Sequence, residues 1–263
     1  MTEPVPMTDP IACIVIPCFN EASRLDRAAV LGLAAAGSLR LLLVDDGSTD
    51  ATASVLAELA SQSARIEVLS LGQNQGKAEA VRQGLVAALA GATDLVGYYD
   101  ADLATPPEEL LRLVDVAAAT PDVVCVLGAR VALLGSAIHR RAVRHYAGRL
   151  FSSAASVALG IAVYDTQCGA KVFRRCDALS SATERPFRSR WAFDVELLDR
   201  LLTGSDGVVP IRTSELLEVP LHAWRDVPGS QMRLSGAAMA VLGVGRIGLA
   251  RRRRLRRARE RLP

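Results

Sequence analysis

The chain has 263 residues, of which 50% are apolar, 22% charged and 4% aromatic. That is enough apolar material for one large α/β domain and too much for a disordered chain. The formal charge of +3 is unevenly spread, because residues 251–263 (RRRRLRRARERLP) hold eight arginines and one glutamate and leave the body mildly acidic. The longest uncharged stretch, residues 150–164, is shorter than the roughly 20 residues a bilayer span needs. Residues 1–10 have neither the basic region nor the apolar core of a signal peptide. The five cysteines form no CxxC pair, so reduced thiols, no zinc and a cytosolic location are expected.

From residue 11 to about 130, short apolar runs alternate with Ala- and Leu-rich segments of helical length. Strands are expected at 11–17, 41–45, 66–71, 95–100 and 123–128, and helices at 24–36, 50–63, 77–90 and 106–119. Near-continuous apolar strands belong to a sheet covered on both faces. Ser48 and Asp50 before the second helix, and Thr105, Pro106 and Pro107 opening the fourth, are helix-start signals. Four βα units in a row predict a doubly wound, mostly parallel sheet. Beyond 130 the rhythm breaks. A helix is expected at 136–159, strand pieces at 170–173 and 218–222, a helix at 194–202 between them, and a basic amphipathic helix at the C-terminus. The expected division is a domain over 1–235, with a nucleotide half (10–130) and an acceptor half (131–235), followed by the helix at 236–263.

Ligands bind at the carboxyl ends of the strands in such sheets, and polar clusters fall there. They are Asn20 and Glu21, then Asp45 to Ser48, then Gln73 to Lys77, then Asp100 and Asp102. Turn-forming and capping account for Ser48 and Asp50 equally well. Asp100 and Asp102, two apart in an extended segment, point to the same side of the chain. Two carboxylates about 4 Å apart repel by roughly 4 kcal/mol at an effective dielectric of 20. A divalent cation removes that cost, and Mg²⁺ held by one or two carboxylates plus substrate phosphates is its usual arrangement.

The segments PCFNEASRL (17–25), LLLVDDGSTDAT (41–52), NQGKAEAVRQG (74–84) and YYDADLATP (98–106) resemble the family 2 glycosyltransferases of GT-A fold. DTQCGAKVFRR (165–175), RWAFDVELL (190–198) and EVPLHAWRDVPGSQMR (218–233) resemble the dolichyl-phosphate β-glucosyltransferase branch, close to the polyprenyl-phosphate mannose synthases. The resemblance implies a GT-A fold: a mostly parallel, mixed central sheet with helices on both faces. It implies that Pro17, Glu21, Val44 and Asp46 hold the nucleoside with Asp45 beside them. Asp100, Ala101 and Asp102 would bind Mg²⁺ or Mn²⁺ and the sugar diphosphate, near Lys77. Arg130, Arg141, Arg144 and Arg225 would receive the acceptor phosphate. The chain departs from the mannose-synthase pattern at Ala104, where a third polar residue on the metal side is usual. It departs again at Gly229, Ser230 and Gln231, where a lysine is lost that Arg233 would replace, and at Ala78 in place of glycine.

The partners so implied are a nucleotide-sugar donor and a polyprenyl (dolichyl-type) phosphate, with transfer of a hexose, first choice glucose from UDP-glucose, inverting the anomeric centre. Asp102, Asp165 and Asp194 are the candidate catalytic residues, the last two for orienting acceptor or sugar, or else as caps and ion-pair partners of Arg174, Arg190 or Lys171. Val244, Ile247, Leu255, Ala258 and Leu262 form a thin apolar stripe between arginines, the pattern of a helix lying on anionic membrane. Peripheral attachment to the inner membrane face is therefore expected, and nucleic acid is not. Gly243, Gly245 and Gly248 match GxGxxG but lack the following strand and acidic residue of a dinucleotide site. Two other readings stay open: a GDP-mannose or soluble-hydroxyl version of the enzyme, and a non-catalytic membrane- or nucleic-acid-binding module acting through the arginine tail.

Overall fold

The computed structural model describes residues 11–36, 38–139, 142–205, 207–227 and 234–260. The first half follows the alternation of the sequence: β1 (Ala12–Cys18), α1 (Arg27–Ala35), β2 (Leu39–Asp45), α2 (Thr52–Gln62), β3 (Ile66–Ser70), α3 (Lys77–Ala90), β4 (Leu95–Tyr99), α4 (Pro107–Ala119) and β5 (Cys125–Ala129). Then come β6 (Ala137–His139), α5 (Ala142–Leu159), β7 (Ala170–Arg174), α6 (Asp177–Glu184), α7 (Phe193–Thr203), β8 (Leu216–Pro220), β9 (Ala223–Arg225) and α8 (Leu234–Glu260).

Seven strands form one sheet in the order β3-β2-β1-β4-β7-β5-β8. All neighbours are parallel except β7, which runs antiparallel between β4 and β5. Alternate side chains of β1 show how the sheet is covered. Cys13 and Val15 enter a core shared with α3, α5, α6, α7 and α8. Ala12, Ile14 and Ile16 enter the opposite core with α1, α2 and α4. Period-two alternation thus feeds two apolar layers, as a doubly wound sheet requires.

The expected helix at 136–159 is corrected at its start: residues 137–139 are a strand, paired in parallel with 223–225. α6 was not foreseen. Its sequence, DALSSATE, carries few large apolar residues and gave no helical stripe. Two of the GxGxxG glycines are packing positions, while Gly245 faces open space. A Cβ on Gly243 would meet Ser189 Oγ at 2.6 Å, and one on Gly248 would meet Ala158 at 3.2 Å.

The predicted stripe of α8 is also corrected. Val244 and Ile247 are buried against α5 and α7, so they face protein rather than lipid. The side chains of Leu255, Ala258 and Leu262 lie outside the described residues. The helix is fixed further by Asp199, wholly buried on α7, which accepts from Arg251 at 3.0 Å and also pairs with Arg254. Removing one partner of a buried ion pair strands the other. Asp199→Ala is therefore expected to lower unfolding stability by about 3 kcal/mol, read by urea denaturation.

Candidate functional site

The loops that leave β1 and β2 are stitched together by short polar side chains. Asn20, in a left-handed conformation (φ 54°), accepts from the Thr49 amide at 2.8 Å while its own amide donates to Ser48. Asp50 accepts from Thr52 and Ala22, and the Glu21 amide donates to Thr52 at 2.8 Å. Ser48 and Asp50 therefore act as braces. Asp45 is buried and accepts the Ser48 amide at 3.0 Å. Asp46 accepts the Gln75 and Gly76 amides, both at 2.7 Å, and so fixes the loop that opens α3. Burial nevertheless pushes the Asp46 carboxyl up, against the pull of these amides and of Arg190.

Lys77, the first residue of α3, follows directly and meets Asp100 Oδ1 at 2.6 Å. Desolvation opposes its charge, but Asp100 and Asp194 outweigh it and hold the ammonium above its usual value. Asp100 rests on Gly169 at the start of β7, where any Cβ would collide with its carboxylate. Asp102 accepts the Ala104 amide at 3.1 Å, across Leu103 in a left-handed conformation (φ 50°). Such strain in a non-glycine residue persists where surrounding structure enforces it, often beside functional groups. Burial and the Asp100 charge raise the Asp102 carboxyl. Burial and the charges of Asp102, Asp50 and Asp100 likewise raise Glu21, whose Oε2 is buried without a hydrogen bond, against the pull of Arg24.

These features fit a divalent cation at Asp100 and Asp102. Burial and the neighbouring Asp100 make the Asp102 carboxylate hold its proton more tightly than usual, and an ammonium already stands against Asp100. No group of three or more His, Cys, Asp or Glu among the described residues forms a closed cage. A cation there would complete its shell from bound phosphates and water. Ala104 supplies no side-chain ligand, and its carbonyl accepts the Arg225 amide at 2.9 Å.

On the other side of the cleft, Arg130 follows β5 and forms a two-pronged pair with Asp165, Nε to Oδ2 at 2.6 Å and Nη2 to Oδ1 at 2.8 Å. Burial would raise the Asp165 carboxyl, but the Arg130 charge and hydrogen bonds prevail and bring it to about 2. Asp165 is thus a positioning group for Arg130. Glu218 holds the backbone beneath it by accepting the Tyr164 and Asp165 amides. Arg130 also lies over the Trp224 ring. Arg149, stacked 4.1 Å above the Tyr164 ring, shares a small polar pocket with Arg130, Ser152 and Gln167.

Asp194, at the start of α7, lies between the two sides. It accepts from the Tyr98 hydroxyl and, at 2.8 Å, from Lys171 Nζ. Lys171 has no exposed surface and also donates to the Cys168 carbonyl at 2.6 Å. A polar group this deep needs a partner, and Lys171 and Tyr98 supply it.

A model of glycosyl transferase family 2 matches residues 13–178. The chain belongs to that family. Among relatives of this family 2 glycosyltransferase, a dolichyl-phosphate beta-glucosyltransferase of Trichomonas vaginalis is 29% identical over 248 residues, 89% of this chain and 70% of that protein. An undecaprenyl-phosphate 4-deoxy-4-formamido-L-arabinose transferase of Pseudomonas fluorescens is 34% identical over 185 residues, 67% of this chain and 51% of its own length. The chain therefore spans about half of that second relative. The fold is that of glucosyl-3-phosphoglycerate synthase from Mycobacterium tuberculosis, solved with Mn²⁺, uridine diphosphate and glucosyl-3-phosphoglycerate. The likeness has a TM-score of 0.64 at 22% identity, over 92% of this chain and 80% of that one. The architecture is a GT-A fold.

The structure brings Glu21, Asp46, Lys77, Asp100, Asp102 and Asp194 to one cleft of the family 2 glycosyltransferase, with Arg130 and Asp165 at its side. Pro17 is half-buried beside them at the end of β1. Val44 and Ala101 are buried, Val44 beneath α3, so its side chain belongs to the core. Arg225 joins the Asp102 loop through its backbone while its side chain is exposed. Arg141 lies outside the described residues, as do Gly229, Ser230, Gln231 and Arg233. Arg144 is on α5, but its side chain is outside them too. Three residues had no site role from the sequence. Arg190, whose guanidinium covers Gly76, and Lys171 both stood inside motifs already singled out. Arg149 stood only in a basic stretch.

Two outcomes are expected. Gly169→Ala pushes the Asp100 carboxylate aside and lowers kcat by about a hundredfold, read in a transfer assay with unchanged circular dichroism. Asp165, with its carboxyl depressed from 3.8 to about 2, contributes stability that is complete above pH 3.8 and is lost as pH falls through about 2. Acid-unfolding curves of Asp165→Asn should therefore be flatter than wild type over that interval.

Proposed function

We propose that the chain is an inverting, divalent-metal-dependent hexosyltransferase that carries a sugar from a nucleotide, first choice glucose from UDP-glucose, to a polyprenyl phosphate at the cytoplasmic membrane face. The observation that carries this reading is the pairing across one cleft of a carboxylate-rich donor side with an arginine fixed for an anion. The loops bearing Pro17, Glu21, Asp45 and Asp46 line the nucleoside side. Lys77 and Arg190, at the N-terminus of α3, suit the diphosphate in charge and place. Asp100 and Asp102 would hold Mg²⁺ or Mn²⁺, which when bound supplies positive charge to the departing nucleotide. The polyprenyl phosphates in the names of both relatives support the choice of acceptor.

A phosphate monoester, with its second pKa near 6, is largely dianionic at neutral pH. Its oxygen is already nucleophilic and needs little general-base help. The task left to the protein is to bring two anions together. Arg130, its own orientation locked by Asp165, can clamp the phosphate by paired hydrogen bonds. Asp194, fixed in place by Lys171 and Tyr98, is suited to orient a sugar hydroxyl. Attack from the face opposite the nucleotide inverts the anomeric centre.

The test is incubation of purified protein and Mn²⁺ or Mg²⁺ with a panel of nucleotide sugars and a short isoprenyl phosphate, scoring the glycolipid. Product from a UDP-hexose is expected, and Asp100→Asn or Asp102→Asn should lower its rate by about a thousandfold. Transfer to a soluble hydroxyl acceptor with none to isoprenyl phosphate would overturn the acceptor assignment.

A further inference from the structure

The inward face of α8 is consumed by the core, yet its outward face is not polar. Leu242 and Leu249, two turns apart, are 58% and 59% exposed. On α5, Leu150 and Val157, again two turns apart, are each 71% exposed. The two helices pack directly on one another, Gly248 against Ala158, so both exposed pairs belong to one helical layer on the same side of the sheet. Arg246, Arg252 and Arg253 of α8 are exposed as well. Single exposed aliphatic residues are ordinary on a protein surface. Aliphatic residues at a two-turn repeat on two packed helices, interleaved with arginine, are the pattern of helices that lie in a membrane interface.

We propose that the outer face of α5 and α8, carried by Leu150, Val157, Leu242 and Leu249 with Arg252 and Arg253, docks on an anionic lipid bilayer. Arg251 and Arg254 are engaged by Asp199, and the other six arginines in residues 251–263 give the charge complementarity for anionic headgroups. A second copy of the chain would bring two such cationic ends together and be repelled. Nucleic acid would satisfy the arginines but leave the leucines in water. This stripe is distinct from Val244 and Ile247, which are buried. It also adjoins the acceptor side: Arg149, next to Leu150, lines the pocket with Arg130. Docking would hold that pocket at headgroup depth, where a lipid-borne phosphate lies. That last point rests on the acceptor reading above, whereas the docking does not.

The experiment is co-sedimentation of the full chain with phosphatidylcholine vesicles, with and without phosphatidylglycerol. The expected result is binding that requires the anionic lipid and weakens with salt. Leu242→Glu with Leu249→Glu should lower vesicle affinity about tenfold or more, while thermal unfolding and transfer to a water-soluble short isoprenyl phosphate stay unchanged. Equal binding by wild type and the double variant would overturn the proposal. So would absence of vesicle binding, or a dimer in solution that the double variant abolishes. Leucine-dependent binding without transfer to any isoprenyl phosphate would leave docking standing and remove the acceptor reading.

Discussion

Lys77 answers the negative charge that two strand ends, those of β1 and β4, bring together. Glu21, Asp100 and Asp102 approach one another because the parallel sheet delivers every loop to the same edge, and that convergence is electrostatically expensive. Burial, and after it the neighbouring carboxylates, raise the proton affinity of Glu21 and Asp102. On the proposed function, the balancing charge would arrive from outside, with a nucleotide and its cation. The ammonium on Asp100 relieves part of the repulsion meanwhile. Strain in the Leu103 backbone belongs to the same compromise.

Much of this was legible in the amino acids. Alternating apolar and helical segments mark the βα units because burial on both faces leaves strands without polar positions. Asp100 and Asp102 stood out as a pair, but the extended segment expected to align them is a turn, in which the Leu103 amide donates to the Asp100 carbonyl at 3.2 Å. What stayed hidden was set by contacts distant in sequence. Nothing local says that β7 reverses direction and enters between β4 and β5. Nothing near Asp165 says that its partner is Arg130, 35 residues earlier. Likewise, periodicity finds a stripe on α8 but cannot say which of its faces meets protein. Val244 and Leu242 look alike in the chain, and only packing separates them.

The network of Tyr98, Lys171 and Asp194 has the opposite character to the crowded edge. Its charges are matched inside the protein, and Lys171 donates to the Cys168 carbonyl beside the glycine that makes room for Asp100. One short stretch, 165–171, therefore serves both sides of the cleft. Asp165 orients Arg130, Gly169 receives Asp100, and Lys171 steadies Asp194. A shift of that stretch would disturb Arg130, Asp100 and Asp194 together, so their mutual spacing is a property of one piece of backbone.

The antiparallel strand has a consequence for the order in which the protein assembles. β5 is buried along its whole length, and its neighbours in the sheet are β7 and β8. During synthesis it leaves the ribosome about 40 residues before β7, so the edge it must join does not yet exist. The growing chain has to carry a finished apolar strand without a partner through that interval, sheltered by α4 or by a chaperone. A cut at residue 130 would make that interval permanent.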